Sequence, residues 1–205
     1  MIATSFWCLV VALILVAIPG PIPPEIALAD TTYTVGGTEI QLPTPAARAP
    51  GETLRAIAEL RSVDGQKVGT VIFQQLTGGV KVTVEIDGLP QGVHGLHIHE
   101  NGNCEVRDFR NAGGHFNPQR AEHGFLNPDG PHAGDLPSLI VGKDGKAHAE
   151  FTSALISLNR TRRNSLLRTG GTSVVVTADP DDYLTDPDGG SGERIACGVI
   201  KQIMD

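Results

Sequence analysis

The sequence predicts an all-β fold, an antiparallel sandwich or flattened barrel of eight strands with two long loops. Three observations support this prediction. Short segments alternate between apolar and polar residues, turn sequences separate several of them, and no convincing long helix follows residue 30. The composition agrees, because 25 glycines and 14 prolines supply many turns while aromatic residues make up only 4% of the chain.

The clearest strand is "VKVTVEIDGL" at 80–89, where alternate apolar and polar residues would occupy opposite faces of a sheet. Asp64-Gly65 and the segment 143–146 each predict a hairpin between flanking strands. The predicted strands are 56–63, 68–76, 80–89, 95–100, 136–142, 147–153, 172–178 and 194–202.

Two segments without strand character are the predicted functional loops. Residues 101–135 show almost no periodicity, and residues 179–193 are polar. A loop as long as the first is uncommon inside a compact domain unless it has a task, such as binding a metal.

The first 29 residues have the character of a signal peptide. Residues 6–18 form an almost unbroken apolar run, too short for an ordinary transmembrane helix, and Pro19-Gly20-Pro21 ends it. "ALAD" at 27–30 follows, with small residues spaced for cleavage after Ala29. The segment before the apolar run carries no Lys or Arg, so an uncleaved anchor is the alternative. We expect export to the periplasm or the exterior and no membrane span in the mature chain.

Residues 30–54 are rich in Pro, Thr and Gly and lack a sustained period, so we expect an extension or tether that is partly disordered. The barrel would then occupy 55–205. The net charge of −7 provides no excess of positive charge for nucleic acid, and "RTRR" at 160–163 is the only basic cluster, so we expect no nucleic-acid partner.

The stretch "GLHIHENGNC" at 95–104 places two histidines two positions apart on a predicted strand. Residues i and i+2 of a strand share a face about 7 Å apart, so His97 and His99 would point the same way. An exposed polar face would explain this arrangement. Neutral imidazole is also the commonest metal ligand in proteins, and a metal site is the sharper hypothesis.

The long loop supplies further candidate ligands in "AGGHFNP", "EHGF" and "GPHAGD". Three imidazoles and one carboxylate suit a closed tetrahedral zinc site, whereas two histidines on a rigid strand suit a metal that prefers nitrogen donors, copper above all. The candidate ligands in this loop are His115, His123, His132 and Asp135.

Removal of the signal peptide would leave two cysteines, Cys104 and Cys197. In an oxidising compartment an even pair favours a disulfide. Two buried free thiols are the alternative, which would fit a cytosolic protein better.

Four segments together resemble the copper/zinc superoxide dismutase family, most closely its exported bacterial branch: "GLHIHENGNC", "AGGHFNP", "HAGDLPSL" and "ERIACGVI". The resemblance covers roughly residues 56–203 in collinear order. It implies an eight-stranded Greek-key barrel, an architecture in which this family is a standard example. It also implies copper and zinc as cofactors and superoxide as the substrate, which is disproportionated to oxygen and hydrogen peroxide. A homodimer is compatible with it but not required.

The resemblance implies a role for each matching residue. His97 and His99 would bind copper, and His115 would bridge copper and zinc. Asp181 would connect a copper ligand to a zinc ligand from the second loop, and Arg194 would attract the superoxide anion. Cys104 and Cys197 would form the family's intramolecular disulfide. The implied zinc ligands are His115, His123, His132 and Asp135.

One position departs from the family pattern. The fourth copper histidine would end a segment resembling "VVVHA", whereas this chain reads "VVVTA" with Thr177 at that position. A neutral hydroxyl is a poor substitute for imidazole on copper. The sequence therefore predicts a superoxide dismutase with impaired activity. A non-catalytic, zinc-stabilised protein of the same fold that binds copper weakly is the alternative.

Overall fold

The computed structural model describes residues 32–35, 38–41, 53–105 and 108–204, the first two segments as backbone only. The chain divides into two units, residues 1–49 and 50–205. The predicted signal peptide lies outside the described residues. No described helix is long and apolar enough to cross a membrane.

The first unit contains a hairpin that we did not predict. β1 (Thr32–Val35) pairs antiparallel with β2 (Thr38–Gln41), with Val35 opposite Thr38. Two glycines separate the strands in sequence, and Thr, Tyr, Val and Ile favour extended backbone. The local strand signal was therefore present within a segment whose overall composition indicated an extension.

The second unit is built from antiparallel ladders, which confirms the predicted fold class. Seven strands lie side by side in the order β7-β10-β11-β3-β4-β5-β9, and β12 also pairs with β3. The strands of this sheet are β3 (Arg55–Ser62), β4 (Lys67–Leu76), β5 (Gly79–Asp87), β7 (Leu96–His99), β9 (Lys146–Ser153), β10 (Ser173–Thr177), β11 (Arg194–Val199) and β12 (Lys201–Gln202).

A separate short ladder brings the two edges of the sheet together. β6 (Gly92–His94) runs directly into edge strand β7, while β8 (Leu139–Val141) precedes edge strand β9, and β6 pairs with β8. The sheet therefore curls into a flattened barrel. This pairing corrects the hairpin predicted at 143–146: the turn forms, with Gly142 N donating to Lys146 O at 2.9 Å, but β8 pairs with β6 and β9 pairs with β5.

The interior of the barrel is lined by small and branched side chains. Val80, Val82 and Val84 on β5 are fully buried, as their alternation predicted, and they pack with Phe73 of β4 and Leu60 of β3. The hairpin predicted at Asp64-Gly65 is also confirmed, since β3 pairs antiparallel with β4. Burial of these apolar side chains is the main favourable term in folding.

Three long connections leave the barrel, one more than predicted. The connection from β7 to β8 spans 100–138 and contains one described 3-10 turn (Arg110–Ala112). The connection from β10 to β11 spans 178–193. The third, at 154–172 between β9 and β10, carries the basic cluster. Its exposed arginines face solvent, with Arg163 donating to the carbonyl of Pro118 at 3.1 Å.

A disulfide between Cys104 and Cys197 ties the first long connection to β11. Phe109, Ala112 and Val175 pack beside the bond in a small apolar cluster outside the barrel interior. The alternative of two free thiols is thereby set aside.

Loss of this bond should lower the free energy of unfolding of the zinc-loaded protein by about 4 kcal/mol, because the cross-link restricts the unfolded chain. The bonded residues are 93 positions apart in sequence. Denaturant unfolding of the variant with both Cys104→Ala and Cys197→Ala measures the loss. A reducing agent should weaken the native protein but leave the double variant unchanged. Equal stabilities of native protein and double variant would contradict the prediction.

Candidate metal centre

The free edge of β7 positions the candidate ligands. One edge of β7 pairs with β10, and the other accepts two segments of the long connection. Isolated bridges join His99 to His115 and His97 to Asp135. Around them Ile98 N donates to the Gly134 carbonyl at 2.8 Å, and the Ile98 carbonyl accepts from Phe116 N at 2.8 Å. Backbone pairing therefore delivers the loop ligands to the strand that carries His97 and His99.

Gly134 permits this close approach. A Cβ atom at this position would lie 2.2 Å from the Ile98 carbonyl oxygen and 2.9 Å from Phe116 N. Any larger residue would push the 133–135 segment away from β7, and Asp135 with it.

Five imidazole rings lie in one buried cluster. The rings of His97 and His99 are 6.4 Å apart on one side of β7, close to the spacing that the sequence predicted. His115 stacks on His97 with ring centres 4.0 Å apart. The remaining neighbouring pairs have centre separations between 5.0 Å for His99–His115 and 5.8 Å for His97–His123. The fold thus brings together all five histidines singled out from the sequence.

Asp135 is the buried acceptor at the centre of one group. Its Oδ1 accepts from His115 Nδ1 at 2.9 Å and lies 3.2 Å from His123 Nδ1 and 3.3 Å from His132 Nδ1. Its Oδ2 accepts the backbone N–H groups of Gly124 and His132, both at 2.9 Å. Burial opposes ionisation of Asp135, but these hydrogen bonds outweigh it and hold the pKa of Asp135 well below its usual range.

Asp181, from the connection between β10 and β11, joins the two sides of the cluster. Its Oδ2 accepts from His97 Nε2 and its Oδ1 from His123 Nε2, each at 2.9 Å. Tyr183 N donates to the same Oδ1 at 2.7 Å. Burial opposes ionisation of this carboxyl as well, yet the two histidine bonds lower its pKa. These contacts fix the orientation of both imidazoles.

Three histidines of the cluster differ in their protonation preferences. Burial lowers the pKa of His115 to about 4, so its ring is neutral near pH 7. Burial also opposes protonation of His123, but hydrogen bonds to Asp135 and Asp181 raise its pKa to about 10. Burial, with the neighbouring His115, lowers the pKa of His99 well below its usual value.

Two ring nitrogens on the strand are left with free lone pairs. His97 Nδ1 and His99 Nε2 are buried and have no hydrogen-bond partner among the described residues. The other nitrogen of each ring is engaged, His97 Nε2 with Asp181 and His99 Nδ1 with the Gly113 carbonyl at 3.0 Å. Orphaned buried nitrogens are costly unless a metal or another group satisfies them.

Among the described residues, three groups of side chains have ligand atoms close enough to hold a metal ion. One of them (His97, His123 and Asp181) is the hydrogen-bonded bridge described above, and the other two share His115. Each group offers one ligand atom per residue, with these atoms within 4.8 Å of one another. Of the two that share His115, one contains three imidazoles and a carboxylate, and the other contains three imidazoles. These two groups are His115, His123, His132 and Asp135, and His97, His99 and His115.

A cavity of about 320 Å³ opens beside the second group. Arg194 lines it, and its guanidinium donates to the carbonyls of Phe109 and Gly113, both at 2.7 Å. Thr177 lines the same cavity from the end of β10, at the position where the resemblance noted in the sequence implies a histidine. The arginine supplies positive charge at the cavity, while the threonine supplies only a neutral hydroxyl.

The sequence did not identify two acidic residues of the second long connection. Asp186 accepts the backbone N–H of His123 at 2.8 Å, and Asp188 lines the cavity together with Arg194. Both belong to a run of acidic residues at 179–193, and nothing in its pattern distinguishes those that face the cluster from those that face solvent.

Comparison with known proteins gives a consistent result. Residues 67–200 match the family model for copper/zinc superoxide dismutase. A superoxide dismutase [Cu-Zn] of Caulobacter vibrioides is 44% identical over 148 residues, covering 71% of this chain and 85% of the relative. Superoxide dismutase [Cu-Zn] 1 of Aquifex aeolicus is 40% identical over 151 residues, covering 73% of this chain and 89% of the relative.

A solved structure is also similar. The crystal structure of a SOD-like protein from Bacillus subtilis matches with a TM-score of 0.67 at 39% identity, covering 70% of this chain and 96% of that one. The fold, the matched family model and the identities with bacterial enzymes agree with one another. The chain therefore belongs to the copper/zinc superoxide dismutase family.

Proposed function

We propose that this protein is an exported copper/zinc-type superoxide dismutase in which Thr177 weakens the copper site. The supporting observation is the pair of ligand groups that share His115, in a chain of this family. The reaction combines two superoxide anions and two protons to give oxygen and hydrogen peroxide.

Zinc would occupy the group that contains Asp135. Three imidazoles and one carboxylate are a common tetrahedral set for zinc, and the ring nitrogens already converge on the Asp135 carboxylate. Asp181 would act as a positioning residue, because it holds the His123 ring from the side opposite Asp135. This site has a complete set of ligands and would stabilise the long connection.

Copper would occupy the second group, bound by His97 Nδ1, His99 Nε2 and the shared His115. The free lone pairs of the first two nitrogens fit such an ion. Copper, when bound, supplies the electron exchange by alternating between its two oxidation states. Arg194 would attract the substrate anion into the cavity, since a local cation can focus the field even in an acidic protein.

Thr177 is the residue that should weaken the copper site. Its side-chain hydroxyl donates to the Asp179 carbonyl at 3.3 Å, so the oxygen is already engaged in a contact with its own loop. The rival function is a non-catalytic, zinc-stabilised protein that binds copper weakly. In keeping with this rival, the structurally similar protein from Bacillus subtilis is named SOD-like rather than superoxide dismutase.

We also propose that the protein is exported. We place the signal peptide at 1–29, an extension or tether at 30–54 and the barrel at 55–205, with the mature protein in the periplasm or outside the cell. The disulfide between Cys104 and Cys197 supports an oxidising compartment. A homodimer remains compatible with the proposal.

Zinc binding should displace about one proton per chain near pH 7. The raised pKa of His123, about 10, keeps its ring protonated in the metal-free protein, whereas zinc requires a neutral nitrogen. The apparent zinc affinity should therefore rise about tenfold between pH 7 and pH 8, because the competing proton becomes less available. Calorimetric titration of zinc in buffers of different ionisation enthalpy measures the released proton.

The exposed His148 provides the matched control for this titration. His148 contacts Glu85 on the barrel surface, so His148→Gln should leave both zinc affinity and proton release unchanged. His123→Gln should weaken zinc binding and abolish the release. Zinc binding with the same affinity and no proton release across this pH range would contradict the assignment.

Installation of the missing ligand should raise superoxide turnover per bound copper by about tenfold or more, for which about 1.4 kcal/mol suffices. Thr177→His is the test variant, because imidazole would hold both copper oxidation states. Thr177→Val is the matched control and should turn over superoxide no faster than the native protein. Turnover is measured by rapid mixing at equal copper loading.

Two outcomes of this comparison would contradict the proposal. Native turnover equal to that of Thr177→His would show that Thr177 does not weaken the site. A copper-loaded Thr177→His variant without turnover would instead favour the non-catalytic rival.

A further inference from the structure

Thr177 lies where a larger side chain is expected, and it leaves space in a partly enclosed cavity. The residue is 4% exposed and lines the cavity together with His99, His115 and Arg194. The volume of about 320 Å³ lies within the range of small-molecule sites. The cavity therefore has room for a ligand next to the candidate copper ligands.

Gly95 lets Thr177 and His97 pack closely together. Thr177 N donates to the Gly95 carbonyl at 3.0 Å, which sets the two strand ends side by side. A Cβ atom on Gly95 would lie 2.4 Å from Thr177 Oγ1 and 2.9 Å from His97 Cε1. Only glycine therefore fits between the Thr177 hydroxyl and the His97 ring, and the open space lies on the cavity side of Thr177.

The chain supplies nitrogen donors beside this cavity, which His99 and His115 line. His97 Nδ1 and His99 Nε2 are buried without hydrogen-bond partners in the described part of the chain. One ligand atom each of His97, His99 and His115 lies within 4.8 Å of the other two. A copper ion held by these three nitrogens would lack a fourth nitrogen from the chain. On the side of Thr177 it would meet a hydroxyl that already donates to Asp179 O.

We propose that the cavity beside Thr177 binds a neutral imidazole-type nitrogen donor from outside the chain, which completes the copper site. This inference rests on the proposed copper role of His97, His99 and His115. Copper favours imidazole over oxygen donors. A neutral ring also suits a cavity in which Asp188 and Arg194 carry opposite charges, since neither charge is left uncompensated by its entry.

Titration of imidazole into the zinc- and Cu(II)-loaded protein tests this proposal. The copper electron paramagnetic resonance spectrum should change with half-saturation at roughly millimolar imidazole, an affinity in keeping with so small a ligand. Thr177→Ser keeps the space and should behave like the native protein. Thr177→His fills the space and should weaken imidazole binding at least tenfold.

Pulsed electron paramagnetic resonance with ¹⁵N-labelled imidazole provides a second measurement on the native protein, which does not depend on the folding of any variant. Coupling of the copper electron to ¹⁵N is the expected result. Copper uptake with a spectrum that imidazole does not change would overturn the inference and leave the proposed function intact. Equal imidazole binding by the native protein and Thr177→His would also overturn it, because the ligand would then bind elsewhere on copper. Failure of the native protein to take up copper would overturn both.

Discussion

The buried carboxylate of Asp135 is the group on which the metal centre depends. Its Oδ1 lies within 3.3 Å of a ring nitrogen of each of three histidines, and its Oδ2 accepts two backbone N–H groups. One side chain therefore holds together the segments around 115, 123 and 132. An ionised carboxylate in a buried site is stable only with such partners. The irregular loop contains one described helical element, a single 3-10 turn, so its fold depends on this carboxylate together with the pairing to β7 and the disulfide.

The two proposed metal sites are coupled by shared groups but differ in completeness. His115 belongs to both ligand groups, and Asp181 hydrogen-bonds one histidine of each. Occupation of the zinc side would thus help to orient His115 and His97 for copper. The copper side would therefore be preorganised on three sides and incomplete on the fourth, at Thr177. Under the proposed function, this asymmetry would slow catalysis at an otherwise well-formed centre.

Much of this architecture could be predicted from the sequence. Alternation at 80–86 and the common direction of His97 and His99 follow from the two-residue period of a strand. The Asp64-Gly65 turn follows from the preference of tight hairpin turns for Asp-Gly. The residue types in the long loop suggested a zinc site, but the role of each residue came only from the family resemblance, because an aperiodic segment contains no geometric period. The fold brings these loop residues together.

Other features could not be read from the sequence because they depend on distant partners. β6 is only three residues long and exists through its pairing with β8, nearly fifty residues away, so the turn at 143–146 predicted the wrong ladder. Asp186 and Asp188 resemble their acidic neighbours in sequence, and only the folded loop directs them to His123 and to the cavity. Contacts between residues distant in sequence determine the β6–β8 pairing and the placement of both aspartates.

Anomalous diffraction from crystals of the zinc- and copper-loaded native protein, collected at both absorption edges, tests the central claim most directly. The claim is that zinc has a complete ligand set and copper an incomplete one. The account predicts a zinc peak bonded to His115, His123, His132 and Asp135, and a copper peak bonded to three histidine nitrogens with Thr177 Oγ1 beyond bonding distance. A copper ion bonded to Thr177, or a zinc ion outside the Asp135 group, would contradict it.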